Sequence, residues 1–520
     1  MRYRKPSFLL MGAVLLVCAS LAVCLLTDPE EKQPDPVNET VVSEKQEKTE
    51  PDAEEKTETD AQSELDAQTI LAESKGAAYI RNAGDASNLY KIDAANTLWG
   101  EGGNNYGQLA QNTQDYGFYN DPVKIAEHVI HVDFSQKGFM VFLTEDHKLY
   151  GVGNAGGGAL QQYDSFDWEM YLDGEHYAIS TPYLLMEDVT YAVCGRDDVV
   201  ALKEDGTVWT WGTVYINGGY QSSDVYFIEK PKQILKNAVV ITGGWFHHAA
   251  LLLDGTVWTW GRNDGGQLGN NNTSNKSLPV QVKGGASGSE YLTDVVQVTA
   301  GNWHSMALKA NGTVYAWGWG QYGQLGNGYT TNSDDTDKYS GEKIYSAPVQ
   351  VLSGAQTSET GYLKEVVQID AMGGTGRAEK NRFGTSLAVT ESKEVYGWGN
   401  SLYGALGVKS SIVSKPVRVG TDISNAVQVA GGGKSGSDDW HVNSIGNTGY
   451  TYILKEDGTV SSLGYNVNGE LGNGAKVSTT AVQEVSNLTE IMQVAGSKNG
   501  NFGAAVKKDG TIWTWGNNSY

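Results

Sequence analysis

The chain changes its hydrophobic rhythm twice. From Phe8 to Leu26 every position is apolar except Gly12 and Ser20, and such a run, about 28 Å long as a helix, can cross a bilayer core of roughly 30 Å. From Asp28 to Lys75 polar and charged residues take over almost completely. After residue 76 the rhythm becomes period two, in short apolar stretches broken by Gly, Asp-Gly and Asn-Gly. Residues 251–261 (LLLDGTVWTWG) and 308–318 (LKANGTVYAWG) each read as two strands joined by a tight turn, because Asp-Gly and Asn-Gly accept the positive φ that a hairpin needs. Alternation places Trp258 and Trp260 on one side of the second strand, with Val257 and Thr259 on the other.

The hairpin recurs. Aligning the Gly that closes the Trp-Gly element gives Gly102, Gly153, Gly212, Gly261, Gly318, Gly399, Gly464 and Gly516, spaced 49 to 81 residues apart. A Gly-Gln-Leu-Gly element follows at 266–269 and 323–326, and in weaker form at 107–110 and 469–472. A Pro-Val pair comes later, at Pro122, Pro279, Pro348 and Pro416. The glycines permit a close turn, and a Pro suits entry to an edge strand, where no amide hydrogen is required. Four or so short strands per unit, at a period above 40, predict the blades of a β-propeller, an all-β fold. Trp260, Trp317, Trp398 and Trp515 share one phase and are expected to pack each unit on its neighbour.

Composition sharpens this picture. The 65 Gly among 520 residues follow no Gly-X-Y period, which excludes collagen and, at about 1 kcal/mol per Gly, a long-helix protein. The 61 acidic and 38 basic side chains give a net charge of −23, which repels phosphate backbones and argues against nucleic acid as a partner. Residues 28–75 hold 16 acids against 5 Lys, the signature of a self-repelling disordered tether. Cys18 and Cys24 lie in the apolar run, so Cys194 stands alone in the remainder and no disulfide framework is available there.

Arg2, Arg4 and Lys5 before the apolar run, with acids after it, predict a cytoplasmic N-terminus and a body outside the membrane. The resulting division is a short basic segment at 1–7, a transmembrane signal anchor at 8–26, a disordered acidic linker at 27–75 and a propeller at 76–520. A cleaved secretory signal is one alternative. A lipoprotein signal at Leu21-Ala22-Val23-Cys24, with Val where a small residue is expected, is another.

Residues 298–308 (VTAGNWHSMAL) run as an apolar residue, two small residues, Gly, any two, His, a small residue and then alternating apolar positions. Residues 241–251 match except where His248 takes the small position. On this motif, the hairpin and the Gly-Gln-Leu-Gly turn, the chain from about 79 to 520 resembles the regulator of chromosome condensation family. That resemblance implies a seven-bladed propeller. Departures are Asn217-Gly218-Gly219 in the third unit, Gly158-Ala159-Leu160 in the second, and Thr480-Ala481-Val482 in the seventh. Eight hairpins are present, and the last stops at Tyr520 where the next turn is due, so the sequence is expected to continue beyond it.

His247 and His304 occupy one repeat phase, so they are expected to make buried hydrogen bonds between strands, whereas a triad would need unique residues. Asp205, Asp254, Asp457 and Asp509 each precede a Gly in a hairpin and read as turn formers. Asp334, Asp335 and Asp337 lack the spacing of a calcium loop. Gly373-Gly374-Thr375-Gly376 opens no helix and is no phosphate loop. No cofactor, metal or catalytic residue is expected.

What remains is surface. Insertions at about 162–181, 213–229, 327–347, 354–363 and 431–450 are rich in Tyr, Ser, Asp and Gly, and Tyr offers large contact area at low entropic cost. Tyr163, Tyr171, Tyr220, Tyr226, Tyr329, Tyr339 and Trp440 are the candidate binding residues. The expected function is a non-catalytic, membrane-anchored, extracytoplasmic propeller that binds a protein or cell-envelope polymer through its loops. The resemblance also implies an alternative, guanine-nucleotide exchange on a small GTPase.

Overall fold

The computed structural model describes residues 88–516 apart from 94, 114–116, 136, 162–177, 216–224, 245, 331–343, 358–360, 374–382, 435–447 and 498–500. Short antiparallel strands follow one another as meanders, their hairpins set by Asp-Gly or Asn-Gly in five of the eight cases and by positive-φ Asn96, His147 and Lys393 in the other three. In the unit at 295–350 the strands are Val295–Ala300, His304–Lys309, Val314–Trp319 and Ile344–Gln350, paired in that order. Their partners are in simple register, with Met306 opposite Ala316 and Ala316 opposite Val349.

Eight such sheets form among the described residues, at 88–126, 129–186, 189–235, 238–281, 295–350, 366–418, 426–484 and 491–516. The expected count of seven blades is therefore corrected to eight, since each of the eight hairpins carries its own sheet. Six blades have four strands; the first and last have three among the described residues. No described helix is long and apolar enough to cross a membrane. The apolar run at 8–26 and the acidic segment at 27–75 lie outside the described residues. The expected membrane-spanning helix, and the single-pass membrane location built on it, are not supported by any described helix.

Consecutive blades share their cores. Buried Met306, Leu387, Trp398 and Leu463 belong to one apolar cluster running from the fifth blade to the seventh, and Phe139, Leu160, Trp211 and Ile228 tie the second blade to the third. First strands of neighbouring blades also pack on each other, and their exposed backbone edges are covered by side chains. Gln297 donates to the Ile369 carbonyl (2.9 Å) and accepts from the Ile369 N–H (3.0 Å). Gln368 does the same to Val429 (3.1 and 2.9 Å), and Gln428 accepts from the Val494 N–H (3.0 Å). In the second blade His131 and Asp133 take over, against the Ala192 carbonyl and the Cys194 N–H (both 2.8 Å). An unpaired strand edge otherwise invites pairing with another chain.

The signature glycines are backbone requirements. All eight have φ between 96° and 118°, a region closed to L side chains. At Gly399 an added Cβ would stand 2.3 Å from the Gly384 carbonyl oxygen. Gly399→Ala is expected to cost about 3 kcal/mol or more. Gly474→Ala, at φ 77° with nothing within 4 Å of the added atom, should cost only about 1 kcal/mol. Urea denaturation of the two variants beside the parent measures the difference, and equal losses would show that the close approach is unimportant.

Candidate functional site

Alternation of strand direction divides the connections between two faces. One, here called the loop face, receives the loops from first to second strand and from third strand to outer strand. The other, the hairpin face, receives the Asp-Gly turns and the links between blades. Four of the five insertions, at 162–181, 213–229, 327–347 and 431–450, attach to the loop face. The fifth, at 354–363, lies on the hairpin face between Gln350 and Val366, where Gly354–Gln356 forms a 3-10 turn. Tyr226 is exposed at the loop-face end of its strand, and Tyr329 is half-buried after the fifth blade's turn. Tyr163, Tyr171, Tyr220, Tyr339 and Trp440 lie outside the described residues.

Beneath these loops each turn is tied to its own blade and to the next. Asn263 accepts the Leu268 N–H (2.9 Å) while its amide nitrogen donates to the Asn272 and Ser274 carbonyls. Gln267 accepts the Gly265 N–H (2.8 Å). The next blade's Trp317 then donates its indole N–H to the Gln267 carbonyl (2.9 Å). Trp398 repeats this on Gln324 (3.0 Å), Trp515 on Glu470 (2.9 Å) and Trp211 on Ala159 (2.7 Å). In the seventh blade, where Leu463 occupies the Trp phase, Thr451 donates to the matching Ala405 carbonyl (2.8 Å). Trp260 is fully buried, and the turn that would face it, at 216–224, lies outside the described residues. Gly261, Gly318, Gly464 and Gly516 close these strands as Gly399 does.

The histidines stand in the same joints. His247 reaches Ser305 (2.9 Å) and His304 reaches Ser386 (3.0 Å), one blade on. Each Ser gives its hydroxyl proton to the turn carbonyl, Ser305 to Gln267 and Ser386 to Gln324. It must therefore accept from Nε2–H of the His, which fixes the tautomer. Burial lowers the His304 pKa to about 3, so the ring is neutral at physiological pH and enclosed by protein. At the joint between the third and fourth blades the chemistry is exchanged: Asp198 holds the His phase and meets His248 at 2.7 Å, both buried. The repeat alignment hides this pair, because Asp198 follows a sequence that scarcely resembles the motif.

Other expectations resolve plainly. Among the described residues no three or more His, Cys, Asp or Glu could hold a metal ion together, and 334–337 lie outside them. Burial, followed by the Asp133 and Asp198 carboxylates, raises the Cys194 thiol well above its usual value, leaving it a poor nucleophile. Asp254 bonds Thr256 N–H and hydroxyl (3.0 and 2.6 Å), as a turn former does. Sequence reading missed two aromatic features of the loop face. Arg262, paired to Asp264 by two 2.6 Å bonds, lies over Phe246 and Trp303. Tyr403 and Tyr465 meet edge to face with centroids 5.0 Å apart. The latent signal was position, since Tyr403 holds the place before the turn Gly that Tyr106 and Tyr322 hold in other blades.

Comparison with known proteins agrees with this repeat geometry. A family model described as regulator of chromosome condensation (RCC1) repeat matches residues 254–308, 311–371 and 393–435, and a second of the same description matches 239–267 and 295–324. The human E3 ubiquitin-protein ligase HERC2 is 27% identical over 257 residues, 49% of this chain and 4% of HERC2. The chain thus spans a small fraction of that relative. Human regulator of chromosome condensation is 27% identical over 381 residues, 72% of this chain and 69% of that protein. Prp20p of Saccharomyces cerevisiae, studied structurally together with its binding to Gsp1p and histones, superposes with a TM-score of 0.53 at 16% identity, covering 85% of this chain and 93% of Prp20p. At that identity the shared property is the fold.

Two substitutions test the joints. The depressed His304 pKa means that stability is complete above the unfolded value of about 6.5 and is lost as pH falls toward 3, by about 1.4 kcal/mol per pH unit. His304→Gln, which keeps a donor for Ser386, should flatten the stability profile between pH 6.5 and 4.5 by that slope, read by denaturant titration at each pH. Glu470 occupies the Gln place of its turn, and burial raises its carboxyl pKa. Glu470→Gln should therefore raise the urea midpoint at pH 7, with the gain shrinking as pH falls and the native carboxyl takes up its proton.

Proposed function

From the premise that this chain carries repeats of the regulator of chromosome condensation family, we propose that it is a non-catalytic binding scaffold that takes a partner protein on its loop face. The observation that carries this reading is the segregation of four insertions to one face of a body whose joints are tied blade to blade. The scaffold beneath them is hydrogen-bonded from blade to blade, the loops above it differ in sequence and length, and binding residues on loops held by such a frame are the common arrangement. Buried His247 and His304 and half-buried Cys194 serve the packing.

Guanine-nucleotide exchange is the second reading, supported by the coverage of human regulator of chromosome condensation on both chains. It differs from the first in requiring a GTPase as partner and nucleotide release as outcome. Adding the purified protein to Gsp1p loaded with a fluorescent GDP analogue separates them: a release rate unchanged by the protein is expected.

The binding reading is tested by placing a photo-crosslinking amino acid at Tyr226 or Tyr329 on the loop face, or at Leu253, which is 71% exposed on the hairpin face. Irradiation in extract from the source cells should give one common protein adduct from the first two positions and none from Leu253. Equal labelling from all three would overturn the choice of face.

A further inference from the structure

Resting on that reading of the loop face, we propose that its sector over the sixth and seventh blades is a docking site for an acidic segment of a partner protein bearing aromatic or branched aliphatic side chains. The sector is built from the turns at 401–411 and 465–478. The sixth blade's turn rests on the seventh, since a Cβ on Gly404 would meet Thr480 at 2.6 Å. Asn466 binds the Ala475 and Val477 carbonyls within the seventh blade's turn, and the Tyr403 ring meets Tyr465 across the two turns, so they form one continuous surface.

Three observations meet there. First, apolar side chains reach solvent there: Tyr403 is 38% exposed, Val467 52% and Val477 71%, with the Tyr465 ring against Tyr403. Second, its charge opposes that of the molecule. Lys409 and Lys476 in these turns, and Lys415 on the sixth blade's outer strand at the edge that faces Gly328 of the fifth blade, are exposed and engage no carboxylate in an ion pair among the described residues. The only acid in 401–418 and 465–480 is Glu470, which is buried. In a chain of net charge −23 a basic, aromatic sector complements an anionic ligand, and complementary potential directs which ligand approaches and how. Third, Tyr403 is held at φ 62°, a left-handed conformation that costs a bulky residue about 1 kcal/mol or more. Tyr106 and Tyr322, in the same place of their own turns, have no such φ. Backbone strain of this kind persists where the surroundings enforce it and is frequent at ligand contacts.

The strain makes the test internally controlled. Tyr403→Gly relieves the backbone while deleting the ring, so it should raise the urea midpoint and yet weaken ligand binding at least fivefold. The probe is a random copolymer of glutamate and tyrosine, bound to the full chain and followed by fluorescence anisotropy at 50 mM salt. Lys409→Glu/Lys415→Glu/Lys476→Glu should weaken binding at least tenfold, and 300 mM salt should do likewise. Polyglutamate, with charge but no rings, should bind at least fivefold more weakly than the copolymer.

Unchanged binding by the triple variant, or equal binding of polyglutamate and copolymer, overturns the proposal. So does a rise of tenfold or more on deleting residues 28–75, which would assign the sector to the chain's own acidic segment. Crosslinking from Tyr226 and Tyr329 is read separately, so the loop-face reading can stand when this sector fails.

Discussion

An indole N–H aimed at one backbone carbonyl of the preceding blade sets the geometry on which the rest of the propeller depends. The signature Gly, held near φ 100°, bends the end of the third strand where its register against the outer strand shifts. That bend brings the Trp before it under the neighbouring turn. Because the carbonyl belongs to a turn already pinned by its own Asn or Ser and Gln side chains, one bond joins two ordered pieces. Each such bond contributes only about 1 kcal/mol net, but leaving the buried carbonyl unpaired costs more. Repetition from blade to blade gives the nearest-neighbour coupling of repeat proteins, with the glutamine bridges between inner strands as a second set of ties.

The fold was legible in the sequence because its requirements fall on side chains of unusual type. The third strand ends on Gly near φ 100° in all eight blades, five hairpins carry Asp-Gly or Asn-Gly, and Trp binds the turn carbonyl at four joints. Blade number was misread because it was taken from the family, although the hairpins themselves numbered eight. The turns show the limit of motif reading from the other side. Gly158-Ala159-Leu160 departs from Gly-Gln-Leu-Gly, yet Ala159 accepts the Trp211 indole as Gln267 accepts Trp317. The acceptor is a backbone oxygen, so the residue carrying it can change without trace. Likewise Asp198 and His248 keep the joint while exchanging the chemistry of its two sides, which an alignment by residue type records as two losses.

The same joints explain why histidine marks no reaction here. His304 lies between Gly301 and Gly384, where an added Cβ would approach its ring to 2.7–2.8 Å. Glycine on both sides makes room for the imidazole, which is left with no solvent-accessible surface. Dehydration that depresses the pKa to about 3 removes the protonation change that general acid–base work requires near neutral pH. A periodic buried His is thus a donor of fixed tautomer, and its Ser partner passes the bond on to the turn carbonyl.

Fixing the turns from below leaves their upper sides free to differ, and this decides where recognition can reside. Replacing Gly269, Gly326 or the joint tryptophans would disturb two blades at once, since a Cβ on Gly326 would meet the Trp398 ring at 2.9 Å. Residue 403 has no such duty: its backbone closes the turn, while its ring points away from the joint toward Tyr465 and solvent. The residue before the turn Gly is Tyr in the first, fifth and sixth blades, Gly in the second and fourth, and Asn in the seventh. Variation at that one place, above a turn carbonyl that the next blade binds through Trp in four joints and through Thr451 at Ala405, lets each blade present different chemistry without renegotiating the ring. The contrast between an acidic molecule and a basic, aromatic sector over two adjacent blades is the form such local variation takes when it is read as charge.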